Sequence, residues 1–369
     1  MRILITGARG FIGKNLVTEL HNRGYADIME YDTDTDMDLL DAYSKKCEFV
    51  FHLAGVNRPV NDTEFLSGNR DLTLFLLDML KKNGNRAPIM ISSSIQAALD
   101  NPYGKSKKAA EDLLFAYAKE TDIKVLVYRF PNVFGKWSRP NYNSAVATFC
   151  HNIANDLPIQ LSDPDRIMSL VYIDDLVEEM IRALNGKENR QGDFCDVMIH
   201  HTATLSEIAT IIQSFKENRE NLHVPDMSNP LEKKLYSTYL SFLPKERFAY
   251  PLRSNADERG SFTEIIRTDD RGQFSVNIVK PGVTKGNHWH HSKNEKFLVV
   301  SGKGLVRFRK VDSDDIIEYY VSEEKMQVLD IPTGYTHSLV NVGDVDLVVF
   351  MWANEVFNPD KPDTYFLEV

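Results

Sequence analysis

Two groups of side chains in this 369-residue sequence have the types and spacing for chemistry, and they lie far apart along it. Tyr103 and Lys107 fall four positions apart in NPYGKSKKAAEDLL, a stretch with a helical pattern. On a helix that spacing puts both on one face. A phenol has an ordinary pKa near 10, so acid-base work at neutral pH needs a cation beside it. The ammonium of Lys107 supplies one, whereas Lys105 and Lys108 lie at the wrong angles. The second group is NHWHHSKNE, residues 287–295. His288 and His290, two apart on a strand, point to the same face, and His291 to the other. Glu295 joins them across a short turn, and His337 comes from a second hairpin. The four form an N/O ligand set for a borderline divalent ion. Zinc is the first choice, although Mn, Fe and Ni accept the same donors. The bland alternative is a cluster kept for packing or for proton transfer without metal.

A third pattern implies a nucleotide. Gly7, Gly10 and Gly13 lie in GARGFIG, directly after the strand-like RILIT and at the start of a helical pattern. Glycines there let backbone amides approach a pyrophosphate at the positive end of a helix. Strand before and helix after are the context such a loop requires. Asp32 ends the next strand, where a carboxylate accepts from an adenosine ribose hydroxyl and favours NADH. Arg9, inside the loop, is placed to pair with a 2′-phosphate and favours NADPH. These two residues pull in opposite directions.

The elements that must hold these groups change character along the chain. RILITG, ADIMEYD, FVFHLAG, APIMISSS and KVLVYRF read as strands, separated by the amphipathic helices GFIGKNLVTELHNRG, FLSGNRDLTLFLLDMLKKNG and YGKSKKAAEDLLFAYAKETD. That alternation predicts βαβ units and a doubly wound parallel sheet over residues 1–245. LSEIATIIQSFKENRENL and SNPLEKKLYSTYLSF predict two further helices. After PKERFAYP the texture becomes short strands rich in Val, Ile and Phe with Gly and Asp between them, predicting a small β-sandwich or barrel over residues 252–369.

Bulk properties exclude some partners. A net charge of −10 argues against nucleic acid and against an acidic membrane surface. No apolar run is long enough to span a bilayer. Cys47, Cys150 and Cys195 show no metal or disulfide spacing and read as reduced buried thiols of a cytoplasmic protein.

Residues 1–245 resemble the extended short-chain dehydrogenase/reductase family that acts on nucleotide sugars. TGARGFIG, HLAG (His52–Gly55), SSS, YGKSK, RFPNVFG and VYIDDL stand in the family order. The resemblance implies a Rossmann-type fold and a nicotinamide cofactor contacted by Gly7, Arg9, Gly10, Phe11, Ile12, Gly13, Asp32, Leu53, Ala54, Gly55, Tyr103 and Lys107. It also implies that Ser94 (or Ser93) holds the reacting oxygen, that Tyr103 transfers the proton and that Lys107 tunes Tyr103. By the same likeness Asn132, Lys136 and Arg166 would fall near the sugar nucleotide. The family's dehydratases carry an Asp-Glu pair after the serine motif, but Ile95-Gln96 stand here, which leaves carbonyl reduction or redox epimerisation.

The back half resembles two kinds of protein. G-x5-HxH-x4-E-x6-G from Gly282 and PxGxxHxxxN from Pro332 are the cupin motifs, implying a jelly-roll barrel with a metal on His288, His290, Glu295 and His337. ADERGSFTEIIR and QFSVNIVKPGVTKGNHWH are similar to the metal-independent dTDP-4-keto-6-deoxyglucose 3,5-epimerases, whose catalytic base falls on His288. His288 is thus claimed as ligand and as base. Taken whole, the chain resembles the CapF family of bacterial capsular polysaccharide enzymes. That likeness implies a bifunctional enzyme and a homodimer. Its substrate would be a UDP-2-acetamido-2,6-dideoxy-4-hexulose, epimerised at C-3 by the cupin domain and reduced at C-4 with NADPH by the other. The product would be UDP-N-acetyl-6-deoxy-L-talosamine, on the route to UDP-N-acetyl-L-fucosamine. Two rival expectations are a reductase with a non-catalytic, sugar-binding or dimerising cupin, and a 4-epimerase that retains NAD.

Overall fold

In the computed structural model, which describes residues 1–59, 61 and 63–369, the apolar runs of the first half become one sheet. Its strands are β1 (Ile3–Thr6), β2 (Ile28–Tyr31), β3 (Phe49–His52), β4 (Ile89–Ser94) and β5 (Val125–Phe130), completed by the short hairpin β8 (Arg190–Gln191) and β9 (Phe194–Cys195). The order is β2-β1-β3-β4-β5-β9-β8, parallel except for β8 against β9. Strands β1, β3 and β4 are buried along their whole length because helices cover both faces. Alternate residues feed two cores: Ile3, Ile5 and Phe51 on one side, Leu4, Val50 and Ile89 on the other. The Rossmann-type architecture expected from the sequence is therefore present.

The intervening helices are α1 (Phe11–Asn22), α2 (Met37–Ser44), α3 (Thr63–Phe65) leading through π-helical Leu66–Asp71 into α4 (Leu72–Lys82), and α5 (Pro102–Thr121). Helix α5 starts sharply because the Asn101 side chain accepts from the Gly104 amide at 2.8 Å and Pro102 presets the first turn. A second small sheet, β6 (Asn132–Phe134) and β10 (His201–Thr204) on either side of β7 (Ile167–Tyr172), was not foreseen. Helices α6 (Ala145–Ala154), α7 (Ile173–Leu184), α8 (Leu205–Asn221) and α9 (Pro230–Leu240) complete the set.

The remaining strands form two antiparallel sheets. One runs β11 (Ser254–Asp257), β12 (Gly260–Thr268), β13 (Gly272–Val279), β20 (Leu347–Ala353), β15 (Glu295–Ser301), β18 (Val328–Ile331). The other runs β17 (Ile316–Ser322), β16 (Lys303–Lys310), β19 (Tyr335–Asn341), β14 (Thr284–Trp289), β21 (Tyr365–Phe366). Their inward residues, among them Val279, Phe297, Val299, Phe308, Leu339 and Val349, make one core, the all-β jelly-roll arrangement expected. The chain divides into two compact units, Met1–Gln213 with Asn229–Pro244 and Ser214–Ser228 with Lys245–Val369. No described helix is long and apolar enough to cross a membrane.

Candidate functional sites

In the first unit the glycine loop turns tightly from β1 into α1. Gly7 has φ +71°, and a Cβ there would stand 2.7 Å from the Ala54 amide nitrogen. A Cβ on Gly13 would stand 2.2 Å from the Gly7 carbonyl oxygen, so only glycine lets the helix back onto the loop. No side chain caps α1 at Gly10, which leaves the first-turn amides of Phe11, Ile12 and Gly13 to an external acceptor. Leu53, Ala54 and Gly55 follow β3 and meet this loop, where Leu53 donates to the Thr6 carbonyl at 3.1 Å. Asp32 leaves β2 with Oδ2 accepting from the Arg9 amide at 2.8 Å and Oδ1 from the Thr33 amide at 2.9 Å. The Arg9 guanidinium is paired with Asp34 at 2.6 Å. Arg9 and Asp32, the residues that disagreed over the cofactor, are thus neighbours.

Tyr103, Lys107 and Glu111 descend one face of α5. Lys107 is 7% exposed and donates to the Ser92 carbonyl at 3.0 Å. Burial pulls its ammonium down to about 8, against a smaller opposing effect of Glu111. Burial pushes the Tyr103 phenol up, and the Ser94 hydroxyl beside it works the other way. The two serines left open by the sequence are distinct here. Ser93 donates to Glu111 at 2.5 Å, so Ser94 is the one that faces Tyr103. Glu111, fully buried, also takes a bidentate pair from Arg129 at 2.9 and 2.6 Å. Asn69, from the π-helical turn, bridges Val56 to Ser106 of α5. Neither Glu111 nor Asn69 was singled out in the sequence, although Glu111 continues the Tyr103–Lys107 spacing. His52 is buried between Thr6 and Thr73, and burial together with Lys107 pulls it down to about 3, so it stays neutral.

The expected sugar-nucleotide residues are scattered in their bonding. Asn132 donates to the Ser169 carbonyl of β7 at 3.0 Å, and Lys136 is paired with Asp174. Arg166 stands exposed before β7, and among the described residues no hydrogen bond or ion pair joins its side chain to Tyr103 or Ser94.

In the second unit His288, His290, Glu295 and His337 converge, with one donor atom from each lying within 4.8 Å of the others. Strand alternation alone does not account for this. The pairing of β14 with β19 slips between Gly286 and His288, with Gly286 at φ +100° and Asn287 at φ +60°. This bulge aims His288 at its cross-strand partner His337, ring to ring at 4.6 Å. His290 follows the end of β14, and Glu295 opens β15. His290 and His337 are almost fully buried, yet Nε2 of each and Oε2 of Glu295 have no hydrogen-bond partner. Three buried lone pairs left unsatisfied are costly, and one divalent cation would satisfy them together. The residues therefore fit a metal. Burial opposes ionisation of Glu295, but His290 and His337 outweigh it and hold the carboxyl well below the usual range. Burial, then His337, pulls His288 down to about 4, which keeps its ring neutral at pH 7.

His288, Glu295 and His337 line a cavity of about 1220 Å³ whose walls also include Arg259, Lys285 and Lys293. Lys285 donates to Asn277 and to the Ile278 carbonyl. His291 packs against Trp289 and Tyr365 instead. Asn341 is structural, its amide bonding the Val279 and Val345 carbonyls at 2.8 Å each.

Comparison with known proteins follows the same division. Residues 3–197 match the model of the NAD dependent epimerase/dehydratase family, and residues 255–365 that of the polysaccharide biosynthesis C-terminal domain. A curated protein of Pseudomonas aeruginosa, UDP-2-acetamido-2,6-beta-L-arabino-hexul-4-ose reductase, is 43% identical over 369 residues, covering 100% of this chain and 99% of that one. A crystal structure of the capsular polysaccharide assembling protein CapF from Staphylococcus aureus superposes with a TM-score of 0.95 at 52% identity, covering 100% of both chains.

Proposed function

Since this chain belongs to the NAD dependent epimerase/dehydratase family and is similar over its whole length to a UDP-sugar reductase and to CapF, we propose that it is a bifunctional nucleotide-sugar enzyme of capsule biosynthesis. Its substrate is a UDP-2-acetamido-2,6-dideoxy-4-hexulose. The second unit inverts C-3, and the first reduces the C-4 ketone with NADPH, giving UDP-N-acetyl-6-deoxy-L-talosamine on the route to UDP-N-acetyl-L-fucosamine. The family implies a nicotinamide cofactor; the preference for NADPH is our reading of the likeness to CapF, which Arg9 favours and Asp32 opposes. The observation that carries the two-step reading is the cavity of the second unit, with convergent donor atoms opening onto a wall of mixed charge.

Chemistry fixes the order. A C–H bond beside a ketone is acidic only while the ketone exists, so inversion precedes reduction. His288 lies at the cavity wall with a neutral ring, free to take the C-3 proton or to ligate. A zinc ion held by His290, Glu295 and His337 would draw electron density from the ketone oxygen while His288 takes the C-3 proton, and solvent in the cavity would return a proton to the opposite face. A nicotinamide held by the first unit would supply the hydride. Ser94 holds the C-4 oxygen by hydrogen bonding, and Tyr103 gives it a proton. Lys107 holds the cofactor ribose and keeps positive charge beside the phenolate that remains. Glu111 holds Arg129 and Ser93 behind that face. For NADPH the Arg9 guanidinium exchanges Asp34 for the 2′-phosphate. Asn132, Lys136 and Arg166 contact the sugar nucleotide. The working form is a homodimer, for which the exposed edge strand β17 offers a surface.

The test uses the full-length protein in D₂O with the 4-keto substrate and no nicotinamide. NMR should show loss of the C-3 proton in wild type, and loss of that exchange in His288→Ala, His290→Ala and Glu295→Ala. NADPH added afterwards should be consumed stoichiometrically. No exchange above the buffer rate, with metal verified in place, would reduce the function to plain ketone reduction beside a non-catalytic barrel. Cofactor that survives purification and is never consumed would indicate 4-epimerisation instead.

A further inference from the structure

His290 carries an instruction that does not come from the other three donor residues. Its Nδ1 lies 2.6 Å from the main-chain carbonyl oxygen of Asp363. A carbonyl only accepts, so that nitrogen must carry the proton. Nε2 is then the bare nitrogen, and it is Nε2 that faces Glu295 Oε2 at 3.5 Å without a hydrogen bond. The tautomer needed for ligation is thus imposed from outside the cluster.

The same residue grips the turn that follows His290. The Asp363 carboxylate accepts from the amides of His291 at 3.0 Å, Ser292 at 2.9 Å and Lys293 at 2.8 Å, and from the Ser292 hydroxyl at 3.2 Å. Lys293, only 6% exposed, reaches back to the Pro362 carbonyl and the Thr364 hydroxyl. Next to it, Tyr365 and Phe366 pair with Trp289 and His288. Asp363 sits at φ +40°, a left-handed conformation that L-residues rarely adopt. Surrounding bonds hold it there, and in that geometry one residue offers its carbonyl to His290 and its carboxylate to the next three amides.

We propose that Asp363 is a positioning residue for the metal site: it fixes the tautomer and orientation of His290 and so sets the affinity of the cluster for a divalent cation. This rests on the reading of the four side chains as a metal site. Outer partners of ligating histidines typically contribute 10–100-fold in affinity. A mere staple for this segment would contribute to stability alone.

The experiment titrates Zn²⁺ into chelator-dialysed full-length protein in competition with a chromophoric chelator, for wild type, Asp363→Asn and Asp363→Ala. Co²⁺ absorption spectra report the ligand field, and thermal unfolding of the metal-free forms reports stability. Weakening by about 10–100-fold, with an altered Co²⁺ spectrum and little change in the metal-free midpoint, supports the proposal. Equal affinity and identical spectra in folded variants overturn it while the metal reading stands. Wild type that takes up no metal overturns both. Should the variants not fold, long-range ¹⁵N–¹H spectra of ring-labelled wild type decide, with His290 assigned through His290→Gln. A protonated Nδ1 on His290 supports the proposal, and a protonated Nε2 overturns it.

Discussion

On the proposed reading, acid-base chemistry in the first unit falls to Ser94, Tyr103 and Lys107, whose surroundings differ. Tyr103→Phe removes the transferable proton and is expected to lower reduction by about 10²–10⁴-fold. Deuterium exchange at C-3, measured on the same sample, should not change. Lys107 carries a second prediction. Burial lowers it from 10.5 to about 8, so between those values the unfolded chain binds more protons than the folded one. Stability due to this group is complete above pH 10.5 and is lost as pH falls to 8, below which the buried charge is a full cost. Lys107→Met should therefore abolish reduction yet keep or raise the thermal midpoint at pH 7. A midpoint several degrees lower would mean that the bond to the Ser92 carbonyl outweighs the charge. At the adenosine end, Arg9→Ala should raise KM for NADPH far more than for NADH, since the Arg9 amide that meets Asp32 survives the change.

At the scale of elements, much was legible and each miss has a physical cause. The glycine loop, the five parallel strands β1 to β5 and helix α5 follow from local patterns, because strand, turn and helix signals each extend over a few neighbouring residues. FLSGNRDLTLFL keeps its helical periodicity straight through Leu66–Asp71, so nothing local betrays the π-helical turn that delivers Asn69. Strands β6 and β10 are three and four residues long and lack a clean alternation. The histidine motif named the converging residues but not the bulge, since Gly286-Asn287 reads as any turn pair. That bulge is testable. A Cβ on Gly286 would stand 2.7 Å from the His337 carbonyl oxygen at a backbone angle unsuited to alanine. Gly286→Ala should part β14 from β19 and weaken metal binding, read by metal titration beside thermal unfolding. Asp363 was invisible for a different reason: its meaning depends on a pairing some seventy positions away. On β17, Ile316, Ile317, Tyr319 and Tyr320 are exposed on an edge strand, and Tyr320→Glu should shift the proposed homodimer toward monomer in sedimentation.

At the scale of the whole molecule, the proposed function assigns the two constellations different ligands. Chelation should therefore abolish C-3 exchange while leaving NADPH binding, followed by nicotinamide fluorescence, intact. The converse holds for Tyr103→Phe, and mixing that variant with chelated wild type should restore overall turnover if the epimerised ketone diffuses between molecules.

The bond from His290 to Asp363 spans 73 positions, and that distance has a kinetic consequence. In small zinc modules ligands lie close in sequence and the ion helps to nucleate folding. Here the ligand set and its clamp come together only after strands from both sheets have paired, and long-range pairing is the slow part of folding. The ion should be a late arrival. In refolding from denaturant with Zn²⁺ present, its uptake should lag behind the emission change as Trp289 settles against Tyr365, and added metal should leave the rate of that earlier phase unchanged.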